Sequence, residues 1–349
     1  MAFIFLTLLP FLAGCRTTPV AVPGAADASL TRFHFKGAHM GTLFEITLYA
    51  TNREWATTAA TAAFERINTL EDILSDYQAD SELSMLRSST VGQPVSVGQD
   101  LFEVLRRSEE FSKRSGGAFD CTVGPYVRLW RFSSKRGTLP GAAELQEARG
   151  QVGYRYLRLD FRKHTVTLLR PGMRLDAGGI AKGYAADEAL KVLKGMGVDR
   201  ALVAASGDIA IGRPPPGQVG WKVGVSGIDS KTNILTRNLI LSNAAVSTSG
   251  DTEQSIEIGG IRYSHIVDPR TGLGLTHRVQ ATVIGPNATT TDAAATAVCI
   301  LGRKAGAAFI KSLPNCGVLV ITREGVHEEV YASPRVRQLQ REITPVPLR

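Results

Sequence analysis

The stretch RLDAGGIAKGYAAD, from Arg174 to Asp187, places an acidic residue, two glycines and a lysine directly before an alanine-rich helical pattern. Glycines before a helix let backbone N–H groups approach an anion, and the helix N-terminus adds about half a positive charge. Lys182 adds a positive charge, while Asp176 and free carbonyl oxygens can bind a cation. A turn that can bind both a phosphate and a metal ion indicates nucleotide chemistry. The alternative is that the glycines serve only close packing between a strand and a helix.

The patterns on either side of this turn indicate an α+β domain. Alternating apolar residues predict a strand over Gly41–Ala50, and apolar residues at helical spacing predict helices over 56–74 and around Leu101–Phe111. Residues 116–130 fit neither period and are interpreted as a structured loop. Strands and helices alternate irregularly and several hairpins are indicated, so a mixed sheet with packed helices fits better than a doubly wound parallel sheet.

The first residues differ from the rest of the chain. Residues 1–15 are apolar and end in Leu-Ala-Gly-Cys, which predicts a bacterial lipoprotein signal peptide with Cys15 acylated; a plain cleaved signal or a buried segment is the alternative. Residues 16–32 are interpreted as a flexible tether, 33–335 as the folded domain and 336–349 as a C-terminal tail. The expected location is the cell envelope, anchored to a membrane by lipid and facing the periplasm.

Composition and cysteine spacing exclude some classes of function. The chain has 349 residues, 44% hydrophobic and 21% charged, and a net charge of +8. The basic residues are scattered and do not interleave with aromatic ones, so no nucleic-acid partner is expected. Cys121, Cys299 and Cys316 have no CxxC spacing, which argues against a thiolate metal site, and Cys299 lies in an apolar pattern typical of a core helix.

A second motif is Asp292-Ala-Ala-Ala-Thr296, in which a carboxylate and a hydroxyl stand one helical turn apart. Hard oxygens at this spacing suit Mg²⁺, which takes few protein ligands and keeps water or substrate phosphates around it. The alternative is that the three threonines at 289–291 cap the helix and that Asp292 only favours its first turn electrostatically.

A third motif is the sequence Tyr263-Ser-His-Ile-Val-Asp-Pro269. His265 would stand at the end of a strand, where its ordinary pKa near 6.5 allows proton transfer at neutral pH. The alternative is a hydrogen-bonded core histidine. The chain contains neither a Gly-x-Ser-x-Gly elbow nor a His-Glu-x-x-His motif, so hydrolase triads and zinc-protease chemistry are disfavoured.

In this order the motifs resemble those of the ApbE family of FAD:protein FMN transferases, over roughly Phe33 to Val330. The matching segments are His39-Met40-Gly41-Thr42, Ser75-Asp76-Tyr77, Ser81-Glu82-Leu83, Gly117-Ala118-Phe119-Asp120, DAGGIAKGYAAD at 176–187, SGD at 206–208, HIVDPRTG at 265–272 and TDAAATA at 291–297. The resemblance implies an ApbE-like (T-fold-like) domain, and the lipobox agrees with it because many members are exported lipoproteins.

The resemblance also implies the site residues. Those expected to contact FAD are Met40, Tyr77, Ala118, Phe119, Asp120, Asp176, Lys182 and Ile266. Those expected to bind Mg²⁺ are Gly179 through its carbonyl oxygen, Asp292 and Thr296. The family often has alanine in place of Gly179, which a ligand from the backbone tolerates. The ring of Tyr77 can stack on a flavin or adenine ring.

The implied activity is Mg²⁺-dependent transfer of FMN from FAD to a Thr or Ser of a partner protein, with release of AMP. His265, or else Asp268, would orient or deprotonate the acceptor hydroxyl. A hydrolase that cuts FAD to FMN and AMP, and a non-catalytic flavin-binding lipoprotein, are the alternatives. The usual acceptor pattern, Asp-x-x-(Thr/Ser)-Gly-Ala-(Thr/Ser), does not occur in this chain, so the acceptor is expected to be another protein, such as a periplasmic redox subunit.

Overall fold

The computed structural model describes residues 29–225, 237–250, 255–325 and 327–341. The predicted signal peptide with Cys15, and most of the predicted tether, lie outside these residues. The helices are α1 (Arg53–Leu74), α2 (Glu82–Met85), α3 (Gln99–Arg114), α4 (Gly124–Arg136), α5 (Ala142–Gln151), α6 (Ala181–Gly195), α7 (Ala288–Lys311) and α8 (Pro334–Arg341).

The strands are β1 (Thr31–His39), β2 (Thr42–Ala50), β3 (Val95–Ser96), β4 (Leu157–Asp160), β5 (Thr165–Leu168), β6 (Ala201–Ala205), β7 (Asp208–Ile211), β8 (Trp221–Val225), β9 (Arg237–Leu241), β10 (Ala244–Gly250), β11 (Ser255–Ile258), β12 (Ile261–Ser264), β13 (Arg278–Gly285), β14 (Gly317–Glu324) and β15 (His327–Ala332). Eight of them form the main sheet, in the order β1-β2-β6-β7-β10-β13-β14-β15. The α+β class is confirmed. Every strand pair among the described residues is antiparallel, so the sheet is not mixed in strand direction.

The main sheet is covered on both faces, as the alternation along its strands requires. Along β14, Val318 and Val320 belong to the core on the helical face, while Leu319 and Ile321 belong to a second core with Trp221 of β8. Helices α1, α6 and α7 pack together on the first face, and the β8–β9 hairpin with α8 lies on the second. The site residues of α6 and α7 are therefore set on rigid, buried elements.

Helix α7 is the central core helix. By length and composition alone it could span a membrane, but more than half of that apolar stretch is buried inside the fold. Cys299, predicted to be a core residue, is fully buried in this helix. Gly302 interrupts it with non-helical backbone angles, φ 72° and ψ 179°, so the span consists of two helices that meet at a kink.

Three predicted boundaries are corrected by the structure. Helix α4 begins at Gly124 inside the predicted loop, because Pro125 suits a first helical turn and Tyr126 and Trp130 bury one face. The tether ends earlier than residue 32, since β1 starts at Thr31 and pairs along β2. The tail is not separate from the domain, because α8 begins at Pro334 and buries Val336 against the second core.

Candidate active site

The turn from Asp176 to Gly183 joins the β4–β5 region to α6. The main-chain N–H of Asp176 donates to the carbonyl of Cys121 at 2.7 Å. The Asp176 carboxylate accepts a 2.7 Å hydrogen bond from the N–H of Gly178, closing the turn on itself. Burial and the nearby charge of Asp76 raise the pKa of Asp176. This carboxylate therefore lies in a site that favours a neighbouring cation.

The glycines of the turn permit close packing against α7. Gly179 and Gly183 do not have positive φ angles. A Cβ atom on Gly179 would lie 3.2 Å from Oγ1 of Thr296, and one on Gly183 would lie 2.3 Å from the carbonyl oxygen of Ala288. The glycines therefore do serve close packing, here between the turn and α7 rather than between a strand and a helix. It brings the turn to the face of α7 that carries Thr296.

Asp292 and Thr296 face this turn from α7. Asp292 is buried, and its Oδ2 atom accepts a 3.0 Å hydrogen bond from the N–H of Gly183. Burial and the charge of Asp208 raise the pKa of Asp292 to about 7. No group of three or more His, Cys, Asp or Glu side chains suited to a metal occurs in the described part of the chain. A metal here would therefore be bound by one carboxylate and neutral oxygens.

The N-terminus of α7 is capped by residues other than the three threonines at 289–291. The Asn287 side chain accepts from the N–H of Thr290 at 2.9 Å. Asp187 of α6 accepts from the N–H groups of Ala288 and Thr289, each at 2.8 Å. Because these two side chains satisfy the helix N-terminus, the threonines are not its caps. The carboxylate of Asp292 is bound to α6 instead.

Lys182 lies inside the site with its charge compensated. Its Nζ atom donates to the carbonyl of Gly178 at 3.0 Å and lies 3.4 Å from Oδ2 of Asp208. The charges of Asp292 and Asp208 raise the pKa of Lys182, although burial opposes them. Asp208 is itself buried at the start of β7. It was not predicted as a site residue, although the SGD segment that contains it was noted.

Tyr77 lies on the outside of this cluster. Its side chain is 78% exposed, which is unusual for an aromatic residue. The guanidinium carbon of Arg131 lies 3.9 Å from the centre of its ring. Arg131 also pairs with Asp76 and approaches Asp176. Neither Asp76 nor Arg131 was predicted as a site residue. The helix that carries Arg131 was not recognised, because its first half lies in the segment 116–130 that was interpreted as a loop.

Residues 118–120 form a buried turn beside Gly179. Ala118 and Phe119 are almost fully buried, and the Phe119 ring lies against Gly179. Oδ1 of Asp120 accepts from the N–H and hydroxyl of Thr122, and Oδ2 accepts from the N–H of Tyr154. The carboxylate of Asp120 is therefore engaged in organising this turn.

His265 is exposed and directly follows β12, so it is not the buried core histidine of the alternative interpretation. The loop after it is fixed by Asp268, whose carboxylate binds the Arg270 guanidinium at 2.7 Å and the Arg270 main-chain N–H at 2.9 Å. Ile266 is buried, and its carbonyl accepts from the N–H of Leu275 at 3.0 Å. Because Arg270 already binds the Asp268 carboxylate, Asp268 is poorly placed to act as a base.

Met40 lies in the turn between β1 and β2, where it and Gly41 have φ angles of 50° and 69°. The next residues of β2 reach the SGD turn, because the carbonyl of Leu43 accepts from the N–H of Ser206 at 3.2 Å. The structure thus joins the turn at 176–183, Asp292, Thr296, Asp208 and the 118–120 segment directly. Met40, Ile266 and His265 lie on flanking loops.

Comparison with known proteins shows the family of the chain. The sequence profile of the ApbE family matches residues 40–320. The chain is 34% identical over 281 residues to the FAD:protein FMN transferase of Treponema pallidum, covering 74% of this chain and 77% of that one. It is 27% identical to the FAD:protein FMN transferase of Salmonella typhimurium, covering 93% of each.

Solved structures show the same fold. The flavin transferase ApbE from Vibrio cholerae superposes with a TM-score of 0.81 at 27% identity, covering 89% of this chain and 99% of that one. The ApbE protein from Thermotoga maritima superposes with a TM-score of 0.79 at 27% identity, covering 89% and 99%. Fold and site thus define a flavin transferase type of α+β protein. The chain belongs to the ApbE family.

Proposed function

We propose that this chain is a Mg²⁺-dependent FAD:protein FMN transferase, which moves FMN from FAD to a Thr or Ser hydroxyl of a second protein and releases AMP. One observation carries the proposal beyond family membership. The 176–183 turn, with its lysine and carboxylate, lies against the Asp292–Thr296 face of α7 through the 3.0 Å bond from Gly183 to Asp292. A pyrophosphate needs such a combination of cationic and metal-binding groups.

The donor set fits Mg²⁺. The Asp292 carboxylate, the Thr296 hydroxyl and the Gly179 carbonyl are hard oxygens, and Gly179 packs against Thr296, one helical turn from Asp292. The raised pKa of Asp292 reflects a buried charge that a cation would stabilise. A bound Mg²⁺ would neutralise charge that develops on the pyrophosphate oxygens. Lys182, whose charge is maintained by Asp292 and Asp208, would bind a phosphate oxygen.

The reaction is a substitution at phosphorus. The acceptor hydroxyl oxygen forms a bond to the FMN phosphorus, the bond from that phosphorus to the bridging oxygen breaks, and AMP leaves with the bridging oxygen. The hydroxyl proton passes to a base. His265 suits this role because it is exposed and its loop is fixed by the contact between Asp268 and Arg270.

The FAD contacts follow from the same arrangement. Tyr77 presents an exposed ring on which the flavin or adenine can stack. Phe119, beside Gly179, would border the pyrophosphate, and Asp120 would act by shaping this turn. Met40 and Ile266 would contact FAD from the two flanking loops.

The test uses the chain purified in detergent with FAD, Mg²⁺ and an acceptor domain that carries the Asp-x-x-Thr-Gly-Ala-Thr pattern. We expect the intact mass of the acceptor to increase by one FMN while an equal amount of AMP appears. The matched control replaces the acceptor Thr with Ala, which should abolish the mass increase. AMP with free FMN and an unchanged acceptor would identify a hydrolase instead, and FAD binding without AMP would identify a flavin-binding protein.

We further propose that Cys15 is lipidated and anchors the enzyme to a membrane of the cell envelope, so that it acts on periplasmic acceptors. The support is the Leu-Ala-Gly-Cys sequence after an apolar segment. Replacing Cys15 with Ser should move the protein from the membrane fraction to the soluble one. Equal membrane association of both forms would contradict lipid anchoring at this residue.

A further inference from the structure

We propose that Arg131 is a positioning residue for FAD: stacked on one face of Tyr77 and paired with Asp76, its guanidinium holds the exposed ring in place as a surface for the flavin or adenine. The inference rests on the proposed function, because it requires FAD to bind at Tyr77. It adds a residue of α4 to a site otherwise built from loops, α6, α7 and the start of β7.

Helix α4 is a firm support for this side chain. Trp130, the residue before Arg131, is buried and donates a 2.8 Å hydrogen bond from its indole N–H to the carbonyl of Gly272. Tyr126, one turn earlier, is fully buried and lies against the same Gly272. The backbone that carries Arg131 is therefore fixed to the loop that follows His265.

The guanidinium of Arg131 makes three contacts at once. Its carbon lies 3.9 Å from the centre of the Tyr77 ring, its Nη2 atom lies 2.6 Å from Oδ2 of Asp76, and the same atom lies 3.9 Å from Oδ2 of Asp176. The planar cation thus joins the Tyr77 segment to the first residue of the 176–183 turn. A planar, delocalised cation suits such combined stacking and pairing.

This arrangement has a consequence for ligand binding. Tyr77 is 78% exposed although the guanidinium covers one of its faces, so the rest of the ring is open to solvent. A side chain that is already fixed loses less rotational freedom when a ligand stacks on it. Arg131 would lower the cost of stacking FAD on the open face without touching the reacting phosphorus.

A second arginine on the same helix offers a matched control. Arg128 lies 5.3 Å from the ring centre of Phe132 and is exposed, and it forms no ion pair within the described ranges. Arg128 therefore has the same charge as Arg131, lies on the same helix and also has an aromatic neighbour. It is not linked to Tyr77 or to the 176–183 turn. If Arg131 acted only through its positive charge at the surface, replacing either arginine would change FAD binding equally.

The experiment measures the Kd of FAD by flavin fluorescence quenching for the full chain in detergent, with EDTA present to prevent turnover. The variants are Arg131→Met, Arg131→Lys, Arg128→Met, Tyr77→Ala and the double variant Arg131→Met with Tyr77→Ala. We expect Arg131→Met to raise the Kd about three- to tenfold, as the loss of a cation–π contact and its ordering effect would. Arg131→Lys should recover part of the affinity, and Arg128→Met should match the unaltered chain.

The double variant separates positioning from a structural role. If Arg131 acts through Tyr77, Arg131→Met should have almost no effect once Tyr77 is Ala. With Mg²⁺ and an acceptor present, the KM for FAD should rise while kcat changes less than about twofold, because only binding is lost. Should Arg131→Met fail to fold, as judged by circular dichroism, Arg131→Lys and its combination with Tyr77→Ala answer the same question.

Equal effects of Arg131→Met and Arg128→Met on the Kd would overturn the inference, as would an undiminished effect of Arg131→Met in the Tyr77→Ala background. In both cases FAD binding and AMP release by the unaltered chain would leave the proposed function standing. An unaltered chain that neither binds FAD nor releases AMP would refute the proposed function and this inference together.

Discussion

The main-chain N–H of Gly183 donates a 3.0 Å hydrogen bond to Oδ2 of Asp292, although the two residues are 109 positions apart in the sequence. This bond joins the N-terminal turn of α6 to the second turn of α7. It gives the buried carboxylate a fixed direction, and it depends on a glycine that permits the two helices to approach closely. The same glycine therefore determines both the packing of α6 against α7 and the geometry of the site.

Replacing Gly183 with Ala should separate α6 from α7. The new Cβ would lie 2.3 Å from the carbonyl oxygen of Ala288 and 2.8 Å from Cβ of Asp292, and both belong to a rigid helix. We expect a loss of about 2 kcal/mol or more in the free energy of unfolding, as overpacking produces. Denaturant unfolding measures this.

Gly195, near the end of the same helix, is the control. A Cβ there meets no atom within 4 Å, so Gly195→Ala should be neutral or stabilise the protein by up to about 1 kcal/mol. Equal losses in the two variants would show that the contact between α6 and α7 is not the cause.

The affinity for Mg²⁺ should depend on pH through Asp292. Burial and the charge of Asp208 raise the pKa of this carboxyl to about 7 in the metal-free protein, so it is protonated below that pH and ionised above it. Since a metal must displace the proton, affinity should fall about tenfold for each pH unit below about 7 and level off above it. Calorimetric titration with Mg²⁺ at several pH values measures the profile.

The Asp292→Asn variant is the control for this profile. It keeps an oxygen that can accept from the N–H of Gly183 but has no titrating group, so any remaining affinity should not vary over this range. A titration midpoint near the ordinary pKa of a carboxyl group, well below neutrality, would contradict the proposed influence of burial and Asp208.

Asp208→Asn should move that midpoint to lower pH. The charge of Asp208 raises the pKa of Asp292, so removing it makes Asp292 easier to ionise. The affinity at high pH should decrease as well, because one negative charge near the metal is lost. Repeating the calorimetric series on this variant measures both effects, and an unchanged midpoint would show that burial alone accounts for the shift.

A cluster on α1, α3 and α6 should contribute to stability independently of the site. Arg66 of α1 binds Asp100 of α3 at 2.8 Å and Glu188 of α6 at 2.7 Å, with all three side chains mostly buried. Arg66→Met would remove the cation that bridges two neighbouring carboxylates and leave Glu188 only the exposed Lys191, so we expect a loss of about 2–3 kcal/mol. Denaturant unfolding measures it. Arg106→Met, which removes a more exposed pair with Glu103, should cost less than about 1 kcal/mol.

The patterns that predicted structure well are local ones. Alternation along Thr42–Ala50 and the helical spacing of Ile67, Leu70 and Leu74 reflect burial of one face, and these residues lie where expected. Strand β1 was missed because it is at the edge of the sheet, where none of its residues is fully buried and its apolar pattern is limited to the partly buried Phe33 and Phe35.

The residues missed in the site depend on tertiary contacts. Arg131 lies in a segment whose helix was not recognised, and its partners Tyr77 and Asp176 are distant in sequence. Asp208 is marked only by a short turn motif, and its role is visible only beside Lys182. The motif residues of α6 and α7 could be named from the sequence, but the hydrogen bond that sets their geometry could not.

The proposed function depends on a metal bound at Asp292 and Thr296, and anomalous diffraction locates a bound metal ion in the crystal. Crystals of the chain with FAD and Mn²⁺, which substitutes for Mg²⁺, should show an anomalous peak bound by Asp292, Thr296 and the Gly179 carbonyl, at about 2.1 Å from each oxygen. The pyrophosphate should lie between this peak and Lys182. FAD bound beside the 176–183 turn with no peak there, or a peak elsewhere in the protein, would contradict the proposed site.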